Sequence, residues 1–358
     1  MKFKSIPIGS EYYFEPALLF KKKKKIFEFW LNYFKNYKLF FSGRDALRFL
    51  LKNLPENNFY LIPSYTCYEV IRPFEEFNLK FDFYRVFFSP QPQIDFDDIL
   101  KKSKYKKNPL VIVIEYFGFP HDYELEIPFI LDITHSFLTW SERSFKIKPL
   151  YIFGSLRKLF PLTDGGVLFH EKPMKKEIKK ENLKALLIKL SASLIRYLHN
   201  FAPEATEFLH SFAYNTLDKK FEEELTKEKK LKKISSIANY LLKRIPYDFI
   251  IKKRRENFIF LLDNLKDEEK IKPLFNRLPE KVVPLNFPFF SPFKREIKKA
   301  LVKERIYPPT LWPYIPNIIE REKYPEIYQI PETLLSLPCD HRYNLKHMEK
   351  IIDVIKNV

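Results

Sequence analysis

Between about residues 40 and 169 the chain alternates short apolar runs with stretches of helical period. The runs at 59–62, 81–86, 110–115, 129–131, 151–153 and 167–169 predict strands, and 44–53 and 66–77 predict helices between them. Several of these strands, 110–114 and 129–131 among them, are continuously apolar instead of alternating, so both faces are expected to be covered, as in a parallel sheet with helices on either side. Ligands of such sheets bind beyond the carboxyl ends of the strands.

After about residue 175 the pattern changes to long amphipathic helices, 183–198 and 253–265, with Lys and Glu on their polar sides. Proline punctuation over 284–316 then opens a smaller unit. It holds a helix at 294–303, the aromatic stretch Leu311-Trp312-Pro313-Tyr314 and a last helix at 345–357. The expected organisation is an arm and helix (1–39), a large domain (40–265) with a helical extension from about 175, and a small C-terminal α+β domain (266–358). No internal repeat is present.

Composition narrows the chemistry. Only six glycines occur in 358 residues, where average usage would supply roughly 25; five fall between Gly43 and Gly166, marking a stretch where backbone geometry is demanding. The formal net charge is +18, but the lysines are spread along nearly every segment, so the charge reads as background and nucleic acid is not an expected partner. Cys67 and Cys339 are too few for a disulfide framework or a zinc site, and His121, His135 and His341 lack metal-ligand spacing, so no metal is expected. The start has no apolar leader, and the chain reads as cytoplasmic.

The densest constellation runs from Gly154 through Ser155, Arg157 and Lys158 to Asp164-Gly165-Gly166, between two short strands. A cofactor aldehyde can be held as an imine only by a primary amine, which makes Lys158 the candidate. Carbanion chemistry on such a cofactor needs its ring nitrogen protonated, and Asp132, at the end of an apolar run, is the candidate partner. Ser42-Gly43-Arg44-Asp45 precedes a helical run and has the form of an anion-binding helix start, to which Ser155 and Arg157 could add. Each has a plainer reading: a surface lysine in a hairpin, a helix or turn cap and an ordinary N-cap.

Taken in order, these segments resemble the DegT-type aminotransferases. Ser42-Gly43-Arg44-Asp45-Ala46-Leu47 is similar to the family's phosphate-binding helix start, Pro63-Ser64-Tyr65-Thr66 to its Pro-x-x-Thr turn, and Tyr116-Phe117-Gly118-Phe119-Pro120-His121-Asp122 to its Tyr-x-Gly-x-Pro-x-Asp segment. Leu131-Asp132-Ile133-Thr134-His135 resembles the Glu-Asp-x-x-His motif, and Lys158 with Asp164-Gly165-Gly166 resembles the Schiff-base lysine followed by Glu-Gly-Gly. Arg254-Arg255-Glu256-Asn257, Ile306-Tyr307-Pro308, Trp312-Pro313 and the segment 335–343 resemble its later parts. Departures stand beside these: Glu115 and Cys67 replace a common histidine and aromatic, Ser155 lies three residues before the lysine and not five, and Leu131 replaces an acid.

The resemblance implies a fold type I α/β protein with a mostly parallel central sheet, binding pyridoxal 5'-phosphate. Lys158 would be its catalytic residue, and Ser42, Gly43, Arg44, Tyr65, Asp132, His135, Ser155 and Arg157 its cofactor-binding set. It further implies amino transfer from glutamate to a nucleotide- or lipid-linked keto-sugar by a ping-pong route, in a homodimer. Two rivals remain: a divergent non-catalytic protein of the same fold, and a peripheral binder of membranes or anionic polymers. The last draws on Lys21–Lys25 followed by the aromatic positions 26, 30, 33, 34 and 37; a helix packed on the domain is the plainer account.

Overall fold

The computed structural model describes residues 7–13, 16, 20, 27–121, 125–139, 147–172, 174, 178, 180–227 and 231–358. Its strands are β1 (Ile8–Gly9), β2 (Asn36–Phe40), β3 (Phe59–Pro63), β4 (Lys80–Tyr84), β5 (Val86–Ser89), β6 (Gln91–Ile94), β7 (Pro109–Ile114), β8 (Phe129–Asp132), β9 (Tyr151–Ser155), β10 (Gly166–His170), β11 (Lys272–Pro273), β12 (Phe287–Phe290), β13 (Ile306–Tyr307) and β14 (Leu334–Leu337). The α-helices are α1 (Glu28–Leu31), α2 (Gly43–Leu51), α3 (Tyr68–Glu76), α4 (Phe96–Ser103), α5 (Leu183–Phe201), α6 (Pro203–Leu209), α7 (Asn215–Lys227), α8 (Ser236–Leu242), α9 (Tyr247–Leu265), α10 (Lys294–Lys303), α11 (Ile330–Thr333) and α12 (Leu345–Lys356).

The main sheet has the order β2-β10-β9-β8-β7-β3-β4. β9, β8, β7, β3 and β4 run parallel, and β10 and β2 close one edge antiparallel. The continuous apolar runs explain the parallel part: Val111, Ile112, Val113, Ile130 and Leu131 are wholly buried, as strands covered on both faces must be. The fold is the mostly parallel α/β arrangement expected from those runs. β11, β12 and β14 form a separate antiparallel sheet late in the chain, and β1 pairs in parallel with β13, tying the start of the described chain to that late part.

Two differences from the sequence pattern have physical causes. The run at 81–86 splits into β4 and the β5–β6 hairpin, with Arg85 between them. The aromatic segment after Lys21–Lys25 makes one helical turn, α1, and Tyr37 belongs to β2. Trp30 and Phe34 are buried, and the ring of Phe27 meets those of Phe137 and Phe169, so the main core takes up these side chains. Lys21–Lys25 themselves lie outside the described residues.

Glycine is required where the turn into α2 crosses β10. A Cβ on Gly166 would stand 2.1 Å from the Ser42 carbonyl oxygen, a contact that only backbone displacement could relieve. Trp30 is 2% exposed and its indole N–H donates to the Phe137 carbonyl at 3.1 Å. Trp30→Ala is expected to lower stability by about 3–5 kcal/mol in urea unfolding; an unchanged midpoint would contradict this burial.

Candidate active site

Three neighbouring parallel strands deliver the candidate residues to one end of the sheet. β7 runs into Glu115 and Tyr116, β8 ends on Asp132, and β9 ends on Ser155, three residues before Lys158. Register aligns Ile114 with Asp132 and Asp132 with Phe153.

Asp132 is buried at the strand end. Its Oδ1 accepts the Thr134 backbone N–H at 2.8 Å, and the Thr134 hydroxyl accepts the Ser155 N–H at 3.1 Å, linking two strand ends. Burial raises the Asp132 pKa, while the bonds from Thr134 and the charge of Lys158 oppose the rise. His135 is also buried. Its Nδ1 accepts the Phe117 N–H at 3.4 Å, which puts the proton on Nε2, and burial followed by the charge of Lys158 holds the ring well below its ordinary pKa. Lys158 is exposed and has no hydrogen bond or ion pair among the described residues, yet its charge reaches both buried groups.

An aromatic wall stands beside them. Trp312 stacks on His135 at 5.6 Å and meets Tyr65 and Tyr116 edge-on at 4.7 and 5.6 Å. The Tyr116 hydroxyl donates to the Tyr65 carbonyl at 2.6 Å. Three buried polar atoms of this region, the Tyr65 and Thr66 hydroxyls and the Trp312 Nε1, have no hydrogen-bond partner among the described residues. Such atoms cost free energy unless a ligand meets them.

At the start of α2, Ser42 is the N-cap: its hydroxyl accepts the Asp45 N–H at 3.1 Å and donates to the Asp45 carboxylate at 2.8 Å. A Cβ on Gly43 would lie 3.1 Å from the Ser155 nitrogen, so the helix start abuts the end of β9. The arginines turn elsewhere. Arg44 pairs with Glu69 and donates to the Leu225 carbonyl, and Arg157 pairs with Glu222 at 2.9 Å.

Lys158 and Arg157 line a cavity of about 490 Å³ together with Arg254, Tyr307, Pro308, Asp340 and Arg342 from the segments of the resemblance, and with Glu11 and Lys189, which the sequence pattern did not single out. Glu11 and Lys189 form an ion pair there, and Lys189 also meets Asp218 at 2.7 Å. Burial works against the Glu11 carboxylate, but Lys189 and Arg157 hold its pKa down at about 2. Arg254 and Arg342 line the same space. Arg254 donates to the Pro284 and Leu285 carbonyls, and Asn257 to the carbonyls of Cys339, Asp340 and Tyr343, so α9 fixes the loops around the cavity. One sequence signal was available: Lys189, Ser193, Arg196 and Asn200 follow helical spacing along a mostly apolar α5. Asp122, the last residue of the Tyr-x-Gly-x-Pro-x-Asp segment, lies outside the described residues.

No protein-family model and no curated protein matches the sequence. Solved structures do match in fold. A DegT DnrJ EryC1 StrS aminotransferase from Brucella abortus is 16% identical with a TM-score of 0.64, covering 97% of this chain and 91% of that one. PseC of Helicobacter pylori, an aminotransferase involved in the biosynthesis of pseudoaminic acid, is 14% identical with a TM-score of 0.63 and 98% coverage of both chains. A sugar-aminotransferase candidate from Streptococcus pneumoniae, solved in its PMP form, is 14% identical with a TM-score of 0.66, covering 98% of this chain and 97% of that one. The chain therefore has the fold of the DegT-type aminotransferases.

Asp164, the acid before the Gly pair, is wholly buried and accepts the Ser235 N–H at 2.9 Å and hydroxyls from Ser235 and Thr163. Burial pushes its pKa up to about 6, against those bonds, from an ordinary 3.8. A carboxyl raised in this way favours folding while protonated, so its contribution is full below about pH 4 and is lost as pH climbs through about 6. Over that window stability measured in urea is expected to decline more steeply for the wild type than for Asp164→Asn; equal slopes would contradict a raised pKa at this carboxyl.

Proposed function

We propose that the chain is a pyridoxal-phosphate-dependent aminotransferase that moves an amino group, from glutamate by the resemblance, to a keto-sugar carried on a nucleotide or a lipid. The observation that supports it best is the position of Lys158: exposed at a cavity of about 490 Å³ and within the field of buried Asp132 and His135. A reactive amine beside a desolvated carboxylate is the pairing that this cofactor's two ends require.

The residues present fit the group. The unpartnered Tyr65, Thr66 and Trp312 atoms form a buried wall in need of a polar, flat ligand. The first amides of α2 can receive a phosphate with the Ser155 hydroxyl beside them. Arg44 and Arg157 are already ion-paired. The phosphate would thus rest on backbone amides and hydroxyls, with Arg157 left to the cavity.

When bound, pyridoxal phosphate supplies an electron sink for carbanion chemistry. The chain's own residues do the rest. Lys158 would hold the group through its Nζ amine and, with that amine free, could carry a proton at the same place. Asp132 would meet the ring nitrogen and favour its protonated form, a positive partner that would offset the burial raising the Asp132 pKa. His135, neutral with its proton on Nε2, can donate one hydrogen bond without adding charge. Arg157, Arg254 and Arg342 give the cavity a cationic wall suited to the phosphates and carboxylates of the two substrates. Donor and acceptor would use this one space in turn, which is the ping-pong order. The resemblance also supports a homodimer.

Purified protein given pyridoxal phosphate is expected to develop a visible absorbance band that Lys158→Ala lacks, with turnover lowered by at least about a hundredfold, the lower range for positioned proton transfer. A wild type that stays colourless would overturn the proposal.

A further inference from the structure

Asn286 lines the same cavity as Lys158 and is 3% exposed. Its Oδ1 has no hydrogen-bond partner among the described residues, and its amide nitrogen donates to none of them. A buried polar atom in that state carries a desolvation cost that nothing in the fold offsets, which at a cavity wall points to a group brought by a ligand. Asn257, another buried asparagine with an unpartnered oxygen, differs on both counts. Its amide nitrogen donates to the carbonyls of Cys339, Asp340 and Tyr343, and it does not line the cavity.

The backbone holds the Asn286 amide in place. The Leu285 N–H donates to the Phe117 carbonyl at 2.8 Å, and the Pro284 and Leu285 carbonyls accept from Arg254 at 3.1 and 2.6 Å. On the other side Phe287 opens β12 and pairs with Leu337 of β14. Phe117 in turn gives its N–H to His135. One residue therefore separates Asn286 from a backbone bond to the strand end that meets His135.

The chemistry of the wall divides the ligand into two parts. Arg157, Arg254 and Arg342 suit phosphates and carboxylates, which when ionised accept hydrogen bonds and give none. The Asn286 Oδ1 is itself an acceptor, so an anionic group leaves it unmet. An ionised keto acid such as 2-oxoglutarate has no O–H or N–H to offer. An alcohol hydroxyl gives one hydrogen bond and takes another, and so serves both atoms of the amide. We infer that Asn286 is a specificity-determining residue that receives a hydroxyl of the keto-sugar acceptor and sets polyhydroxylated acceptors apart from plain keto acids. A site built to bind a hydroxyl discriminates against compounds that lack it, because the buried group is then left unpaired. This inference rests on the aminotransferase reading of Lys158 and deepens it.

Protein loaded with pyridoxamine phosphate is mixed with UDP-linked or dTDP-linked 4-keto-6-deoxyglucose, or with 2-oxoglutarate, and growth of the aldehyde-form absorbance gives a second-order rate constant for each. In Asn286→Leu the ratio of the keto-sugar constant to the keto-acid constant is expected to fall at least about tenfold. The urea midpoint of the same variant is expected to be no lower than that of the wild type, since an apolar side chain of similar volume replaces a buried group without a partner. A wild type that reacts with neither keto-sugar, or a ratio that the substitution leaves unchanged, would overturn the inference. A lowered midpoint would also overturn it by assigning Asn286 to the fold. Each of these results leaves cofactor binding intact, whereas a wild type that binds neither form of the cofactor fails the reading of Lys158 and takes this inference with it.

Discussion

A carboxylate buried at the end of a central strand is costly unless donors and a positive charge meet it, and Asp132 imposes that demand on this molecule. Thr134 supplies hydrogen bonds from the next turn and Lys158 supplies charge from the loop after the adjacent strand. Because Thr134 also accepts the Ser155 N–H, one hydrogen-bonded residue links the carboxylate to the start of the lysine loop. His135 is held neutral by the same burial and the same lysine. The parallel register of β7, β8 and β9 makes this convergence possible, since it carries three strand ends to one edge.

Around that centre the charged groups are arranged in ion-paired sets, the first two of them linked through the charges of Arg157 and Glu11. Glu11, Lys189 and Asp218 form one, Arg157 and Glu222 a second, and Asp340 and Arg342 a third, with Arg342 Nε 2.8 Å from the carboxylate. Arg254 donates to two loop carbonyls and to the Tyr12 hydroxyl, and Asn257 to three loop carbonyls. The cavity is therefore cationic in lining but balanced in its nearest pairs, and an anionic substrate would compete with carboxylates already in place. Lys158 differs from these groups in having no such partner among the described residues.

Strand content was legible wherever burial on both faces made the runs continuously apolar, as at 110–114 and 129–131. Lys158 and Asp132 could be nominated because their chemistry admits few other residue types and both follow apolar runs. The antiparallel edge strand β2 was not legible, since Asn36-Tyr37-Lys38-Leu39-Phe40 is half-buried and mixed. Nor could the partners of Arg44 and Arg157 be read, because Glu69, Leu225 and Glu222 reach them only through tertiary packing. The N-terminal contribution of Glu11 is more remote still: it meets Lys189 across 178 positions of sequence. Local spacing carries no information about such pairs. The helical period of α5 was legible, but not the inward orientation of its polar stripe, which reverses the usual rule for an amphipathic helix.

The central claim is that one amine among many is set apart by its place at the strand ends. Protein equilibrated with pyridoxal phosphate, reduced with borohydride and digested would fix the cofactor to whichever lysine holds it, and mass spectrometry of the peptides identifies the site. The account predicts the phosphopyridoxyl group on the peptide containing Lys158. Its appearance on another lysine, or its even spread over the surface lysines, would contradict it.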